Sequence, residues 1–157
     1  MNDRHMFDIL KKIFNDKAIT SIQNVLVFDS PDGYELFGEY IIRKNSNGYS
    51  VEKFNTDLNK QFYNLKHAVI WTTLYKRNLI SDAKRIMTLD ASLESALTEI
   101  KIYLNLSAKA KNIESKSIYI AKLVEAKHKK TSIFEEIQEL ETSVKNWQYS
   151  KYKQLVA

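Results

Sequence analysis

The strongest structural signal in the chain lies in residues 115–149, which read SKSIYIAKLVEAKHKKTSIFEEIQELETSVKNWQY. Apolar residues recur there at intervals of three and four, and Lys130 interrupts the pattern. The positions that form this seam are Tyr119, Leu123, Ala126, Ile133, Ile137, Leu140, Val144 and Trp147. Such spacing is typical of a long helix packed along a partner helix. The seam therefore predicts a segment built for packing rather than for enclosing a catalytic pocket.

The partner helix is predicted in the residues just before the seam. Its apolar positions are Leu79, Ile86, Leu89, Leu93, Leu97, Ile100 and Leu104. Polar Lys111-Asn112, followed by Glu114-Ser115, is the predicted point of reversal. An unbroken helix over residues 115–149 would be about 50 Å long at 1.5 Å per residue. Residues 79–157 are therefore predicted to form a long, coiled-coil-like antiparallel helical hairpin.

The first residues are predicted to form a short amphipathic helix. Asp3 is a suitable N-cap, and the apolar positions after it repeat every three or four residues. These positions are Met6, Ile9, Leu10 and Ile13. This face is expected to dock on the rest of the protein, and insertion into a neighbouring subunit as a swapped arm is the alternative.

An antiparallel sheet is predicted to follow. Its strands are residues 22–28, 34–44, 49–54 and 60–62. Ser30-Pro31-Asp32-Gly33 is a turn, because proline presets φ and glycine accepts a positive φ. Gly38, inside the second strand, indicates a bulge or a close backbone approach. Asn47-Gly48 is predicted to supply the two positive-φ residues of a tight hairpin.

A helix after Asn64 is predicted to cover this sheet. Asn64 is a suitable N-cap, and the helix would carry Leu65, Ala68, Val69 and Trp71. A sheet of a few short strands needs such a cover to be stable. The predicted fold class is α+β, with a head over residues 1–78 and the hairpin over residues 79–157 packed on it as one continuous unit.

Composition supports this prediction and narrows the chemistry. The chain has 157 residues, enough for one domain, and only 3 Gly and 1 Pro, which favours long helices. It has no cysteine, so disulfides, thiolate zinc sites and cysteine nucleophiles are excluded. The start lacks the layout of a signal peptide, and no apolar run is long enough for a membrane span. We therefore expect a soluble protein without membrane contact.

Residue types that serve catalysis are present but are not arranged for it. His5, His67 and His128 lack the i, i+4 pairing of a helical metal site, and His67 is expected to be a surface or partly buried helix residue. Asp29 and Asp32 are expected to shape the turn. The glycines cannot form a phosphate-binding loop, and no serine lies in a nucleophile elbow. We therefore expect no enzyme activity, cofactor, metal or small-molecule substrate.

The charge of +5 is distributed unevenly along the chain. Residues 101–130 hold eight lysines and two glutamates, whereas residues 131–144 hold four glutamates and no lysine. The lysines proposed to engage an acidic neighbouring protein are Lys109, Lys111, Lys116, Lys122, Lys127, Lys129 and Lys130. The alternative is a nucleic-acid-contacting accessory protein that binds phosphates without sequence specificity. Base recognition is disfavoured, because this block has Tyr119 rather than a ladder of aromatic residues.

Four short runs in the head carry a family resemblance. They are Tyr40-Ile41-Ile42, Gly48-Tyr49-Ser50-Val51, Phe62-Tyr63-Asn64-Leu65 and Ala68-Val69-Ile70-Trp71. These runs, about a third of the chain with the segments between them, resemble the hairpin-plus-helix heads of small structural proteins of marine tailed phages with AT-rich genomes. The resemblance carries no catalytic motif and implies a virion structural or assembly component.

The expected function is therefore non-enzymatic. The seam would hold the hairpin, and the protein would pack among copies of itself, as a homo-oligomer or larger assembly, or among other phage proteins. Its expected location is the virion if it is of phage origin, and the cytoplasm otherwise.

Overall fold

The computed structural model describes residues 27–30 and 33–156, and the side chains of residues 33–144. The strands are β1 (Val27–Ser30), β2 (Gly33–Leu36), β3 (Tyr40–Asn45), β4 (Gly48–Lys53) and β5 (Asn59–Phe62), and the helices are α1 (Leu65–Lys76), α2 (Ile80–Lys109) and α3 (Ile113–Val156). The predicted α+β fold, an antiparallel sheet followed by a long helical hairpin, is confirmed.

Some predicted features lie outside the described residues. They are the N-terminal helix after Asp3, the first part of the strand predicted over residues 22–28, the central turn residues Pro31 and Asp32, and the side chain of Trp147.

The strands form an antiparallel meander in the order β1-β2-β3-β4-β5. The prediction of one strand over residues 34–44, with a bulge or a close backbone approach at Gly38, is wrong. Leu36 pairs with Tyr40, and the chain turns between them through Phe37 and Gly38, whose φ values are 59° and 68°. Glycine adopts this left-handed conformation without strain. Phe37 adopts it while its ring packs against the core, so tertiary contact stabilises a backbone conformation that its residue type disfavours.

The predicted hairpin between β3 and β4 is present, but its turn differs from the prediction. Asn45 pairs with Gly48, so Ser46 and Asn47 form the turn. Asn47 does not have a positive φ, and its N–H donates to Asn45 Oδ1 at 2.9 Å. The Asn45 side chain thus closes the turn locally. In this turn only Gly48, with φ of 130°, has a backbone conformation that favours glycine.

Gly48 and Gly38 form a matched pair for mutation. A Cβ at Gly48 would lie 2.3 Å from the Phe62 carbonyl oxygen, whereas a Cβ at Gly38 meets nothing within 4 Å. We expect Gly48→Ala to lower the free energy of unfolding by about 2–4 kcal/mol through strain and a clash across the sheet. Gly38→Ala should cost about 1 kcal/mol from its positive φ alone. Urea denaturation of both variants tests this, and equal losses would contradict the close approach of β4 and β5.

Helix α1 lies at the centre of the molecule. It begins after Asn64, as predicted, and Asn64 Oδ1 accepts the Lys66 N–H at 2.8 Å. The eight consecutive residues 67–74 are all buried, because the sheet packs against α1 together with α2 and α3. The helix therefore has no solvent-facing side over these two turns.

Aromatic side chains join α1 to the sheet. Trp71 stacks on Tyr75 with ring centroids 4.7 Å apart and lies 5.9 Å from the ring of Phe62. Tyr40 meets Tyr75 edge to face at 6.3 Å. Burial raises the pKa of the Tyr40 phenol, and the charges of Glu39 and Tyr75 add to this rise.

One apolar cluster runs from the sheet through α1 into the hairpin. Its larger members are Leu36, Tyr40, Ile42, Val51 and Phe62 from the sheet, Ile70, Trp71 and Leu74 from α1, Ile86, Leu89 and Leu93 from α2, and Ile133, Ile137, Leu140 and Val144 from α3. On α2 the buried members end at Ala96, and on α3 they begin at Ile133. Residues 98–132, here called the distal hairpin, thus extend about 20 Å beyond this core on α2 and about 30 Å on α3 at 1.5 Å per residue.

Candidate interaction surface on the helical hairpin

The seam holds α3 against α2 within the chain. Leu123, Ala126, Ile133, Ile137, Leu140 and Val144 are all buried, and Tyr119 is half-buried. The two helices reverse direction at residues 110–112, where Asn112 Oδ1 accepts the Ser115 N–H at 2.8 Å. The seam residues up to Val144 are therefore occupied by an intramolecular partner, and a surface for another molecule lies elsewhere on the described part of the hairpin.

The distal hairpin exposes an unusual share of the large apolar side chains. Ten large apolar residues are exposed among residues 33–144, and six of them fall within residues 102–124. These six are Ile102, Leu104, Ile113, Ile118, Ile120 and Val124. Ile113, at the tip, is 82% exposed. Clustered exposed apolar groups mark interaction sites, whereas single ones need no explanation.

Helical geometry assigns most of these side chains to one side of the hairpin. At 100° per residue, Ile113, Ile120 and Val124 lie within about 40° of one another, on a stripe roughly 120° around α3 from the middle of the seam. Ile118 falls about 140° away from Ile113 on the same helix.

The opposite side of the hairpin is identified by direct contacts. Lys122 Nζ lies 5.7 Å from the Tyr103 ring centroid, and both residues line a groove between α2 and α3. Leu104 follows Tyr103 by one residue and is therefore rotated toward the side that carries Ile120. We call this side the isoleucine face, and its members are Leu104, Ile113, Ile120, Val124 and, about 15 Å further along α3, Phe134.

The seven lysines proposed from the sequence all lie on the distal hairpin. Lys109, Lys111, Lys116, Lys122, Lys127 and Lys129 are exposed, whereas Lys130 is half-buried with its Nζ 5.6 Å from the Phe134 ring centroid. Lys122 lies over Tyr103 on the opposite side of the hairpin from the isoleucine face. The lysines therefore surround the end of the hairpin and do not form a single planar patch.

Charge is polarised along the hairpin. Residues 98–132 contain eight lysines and three glutamates, a formal charge of +5. Residues 80–97 and 133–144, here called the proximal hairpin, contain seven acidic and two basic residues, a formal charge of −5. Arg85 Nη2 lies 3.0 Å from Glu136 Oε1, and Lys66 Nζ lies 3.1 Å from Glu141 Oε2. Glu135 is exposed on the same helix.

His67 and Asp90 form a buried pair that the sequence interpretation missed. The expectation of a surface or partly buried His67 is wrong, because the residue is 1% exposed. Its Nδ1 lies 2.7 Å from Asp90 Oδ1. The Asp90 carboxylate also accepts the Tyr63 N–H at 2.9 Å and the Asn64 N–H at 3.3 Å. Since a carboxylate only accepts, Nδ1 carries the ring proton.

The sequence did hold a signal for this pair. Asp90 falls at a position with the helical apolar period, four residues after Ile86 and three before Leu93. A carboxylate on the buried stripe of a helix needs donors. Its donors here come from the start of α1, so the pair fastens α1 to α2.

Asp90 also lines a cleft of about 590 Å³ between the β3–β4 turn, the end of β5 and α2. Other lining residues are Asn47, Tyr63 and Glu94. At its rim, Asn45 Nδ2 donates to Gln61 Oε1 at 2.9 Å. Three donors of the protein itself already engage Asp90. Within the described residues, no three His, Cys, Asp or Glu side chains group to hold a metal ion.

None of the described helices is long and apolar enough to cross a membrane. Comparison of the chain with protein families, with curated proteins and with solved structures finds no match.

Proposed function

We propose that this protein is a non-enzymatic assembly subunit that contacts other protein subunits, copies of itself among them, through its distal hairpin. The observation that carries this proposal is the cluster of six exposed large apolar residues within residues 102–124. They lie beyond the core, where none of the described sheet or helix residues covers them. Burying the exposed half of one such side chain is worth roughly 1 kcal/mol, so several together support a stable contact.

The lysines support the same proposal by selecting the partner's charge. Eight lysines on one end of the hairpin attract an acidic surface, and complementary charge steers association and rejects unsuitable partners. The glutamates at positions 99, 114 and 125 interrupt this basic surface. That mixture fits a protein surface better than a uniform array of phosphates.

We further propose that the assembly is a virion, on the basis of the resemblance of the head to phage structural proteins. Quantitative mass spectrometry of purified, salt-washed particles tests this placement. A constant copy number per particle would support it, and absence of the protein from particles would refute it.

Binding of a nucleic-acid backbone is the second candidate function, and the surround of lysines at the distal end favours it. Two measurements distinguish assembly from nucleic-acid binding. We expect the mass from sedimentation velocity to rise over about a hundred-fold range of protein concentration. We expect the protein to cause only a small change in the fluorescence anisotropy of a labelled DNA duplex, and this change should vanish as the salt concentration rises.

A variant with Ile102, Ile113, Ile118 and Ile120 replaced by Ser serves as the control. It keeps every lysine but should lose the concentration dependence of the mass. A wild-type chain that stays monomeric and binds duplex tightly would overturn the assembly proposal in favour of nucleic-acid binding.

A further inference from the structure

We infer that the outer edge of β5 is a second binding site, which takes an extended peptide segment of another protein as an added antiparallel strand. This site is separate from the distal hairpin and does not depend on the proposed assembly function. Two features of the structure carry the inference: backbone groups along β5 that face outward, and an acidic cleft beside its last residues. The first selects an extended backbone, and the second selects the charge of the peptide.

The sheet register shows which backbone groups of β5 face outward. The Phe54 N–H donates to the Glu39 carbonyl at 2.9 Å, in line with the register of β3 and β4, so the even-numbered residues of β4 bond to β3. The odd-numbered residues of β4 therefore bond to β5, because the direction of the backbone groups alternates along a strand. Their partners on β5 are Lys60 and Phe62.

Asn59 and Gln61 alternate with those partners, so their backbone N–H and C=O groups point away from the sheet. Tyr63 continues the alternation, because its N–H donates outward to Asp90 Oδ2 at 2.9 Å. Asn59 and Gln61 are exposed, and within the described residues nothing hydrogen-bonds their outward groups. The edge thus presents two donors and two acceptors, which is the arrangement that extended peptides bind by strand addition.

The cleft of about 590 Å³ lies beside this edge, between β5 and α2. A peptide residue opposite Phe62 directs its side chain to the same face of the sheet as Phe62, toward Met87 and Glu94. None of the described residues that line the cleft is a lysine or an arginine, whereas two are carboxylates. Three donors of the protein already engage Asp90, so exposed Glu94 is the group that contacts the peptide. This position therefore favours a basic side chain.

Lys60 selects the charge two positions further along the peptide. A residue directly opposite Lys60 has its Cβ about 4.5–5.5 Å away on the same face, so an acidic residue is attracted and a basic one is repelled. An edge lysine also limits indiscriminate pairing with other strands. Because the added strand runs antiparallel to β5, the matching peptide sequence is a basic residue, then any strand-forming residue facing Gln61, then an acidic residue.

Peptide titration of the isotope-labelled protein, followed by NMR, tests the site. The probe is acetyl-Thr-Lys-Thr-Glu-Thr-amide, and the matched control, acetyl-Thr-Glu-Thr-Lys-Thr-amide, exchanges the two charges. We expect the probe to shift the amide signals of Asn59 and Gln61. The control should bind at least about five-fold more weakly, since two exposed ion pairs become two repulsions. No shift of these signals up to about 10 mM probe, or equal affinities of the two peptides, would overturn the inference.

Methylation of one peptide nitrogen distinguishes strand addition from simple charge attraction. The central Thr of the probe faces Gln61, and its N–H donates to the Gln61 carbonyl in the proposed pairing. N-methylation at this Thr keeps both charges but removes the donor and places a methyl group against the edge. We expect at least about ten-fold weaker binding, and an unchanged affinity would contradict strand addition.

Glu94→Lys tests whether the cleft receives the basic side chain. Position 94 is exposed, so the variant should fold, and its thermal melting checks this. We expect the probe to bind about three- to ten-fold more weakly and the control peptide more tightly than to the wild type. A variant that keeps the wild-type ratio of the two affinities would refute the assignment of the cleft.

Hydrogen exchange of the protein without peptide tests the competing occupant, a second copy of this chain. We expect the Gln61 amide to exchange rapidly and at a rate independent of protein concentration, because it points to solvent. Protection that grows with protein concentration would show that another copy covers the edge, and would overturn the inference. Failure of any of these tests leaves the proposed function of the distal hairpin untouched, because that function rests on different residues.

Discussion

Asp90→Ala is expected to lower the free energy of unfolding by about 4 kcal/mol, although it removes a single side chain from the protein. The substitution leaves the buried His67 Nδ1 and the partly buried Tyr63 and Asn64 N–H groups without their acceptor. Each unsatisfied buried donor costs about 1–3 kcal/mol. Since small domains are stable by only about 5–15 kcal/mol, this loss is a large part of the total.

Urea denaturation monitored by circular dichroism measures this loss of unfolding free energy. Two other substitutions serve as controls. Asp90→Asn keeps one acceptor oxygen and should cost about half as much. Glu94→Ala, one turn further along α2 and exposed, should change stability by less than about 0.5 kcal/mol. If Asp90→Ala were as mild as Glu94→Ala, the carboxylate would not be the fastening between α1 and α2.

The double substitution Ile137→Asp and Leu140→Asp is expected to abolish cooperative folding at room temperature. The two side chains are 2% and 5% exposed and lie in the cluster shared by the head and the hairpin. Each substitution removes a buried apolar group and introduces a carboxylate without partners, so the combined cost exceeds about 5 kcal/mol.

The matched control places the same charges on exposed positions of the same helix. Gln138→Asp with Ser143→Asp adds two carboxylates to α3 away from the seam and should shift the thermal midpoint by only a few degrees. Thermal melting by circular dichroism compares the two variants. An Ile137→Asp, Leu140→Asp protein that melts like the control would show that the seam does not hold the hairpin.

The helical hairpin was predictable because its signals are local and redundant. The period of the seam is sustained over many turns, Gly and Pro are scarce, and Lys111-Asn112, followed by Glu114-Ser115, marks the reversal. The hairpin of β3 and β4 was predictable for a similar reason, since Gly48 follows a short polar turn.

The parts that were not predictable depend on tertiary contacts. Phe37 takes a positive φ while its ring packs on the core, and no local pattern encodes that. His67 was expected to be at least partly exposed because most helices of small proteins have a solvent-facing side, whereas α1 is buried over residues 67–74.

The candidate surface illustrates the same limit. Ile102, Ile113 and Ile118 are visible in the sequence, but nothing local indicates whether they are covered. Their exposure follows from where the core ends, at Ala96 on α2 and Ile133 on α3. The end of the core is set by the size of the head, so the surface could be found only once the head was placed against the hairpin.

The burial of residues 67–74 of α1 on every side has a consequence for how the chain folds. A helix with one solvent-exposed side can stay folded when a neighbouring element separates from it. In contrast, α1 would expose apolar side chains if either the sheet or the hairpin separated from it. Head and hairpin are thus halves of one cooperative unit. A cut near position 78 would therefore yield two fragments that each expose apolar side chains and do not fold independently. Native tertiary structure is expected to form only after α3 has been synthesised and has packed against α1.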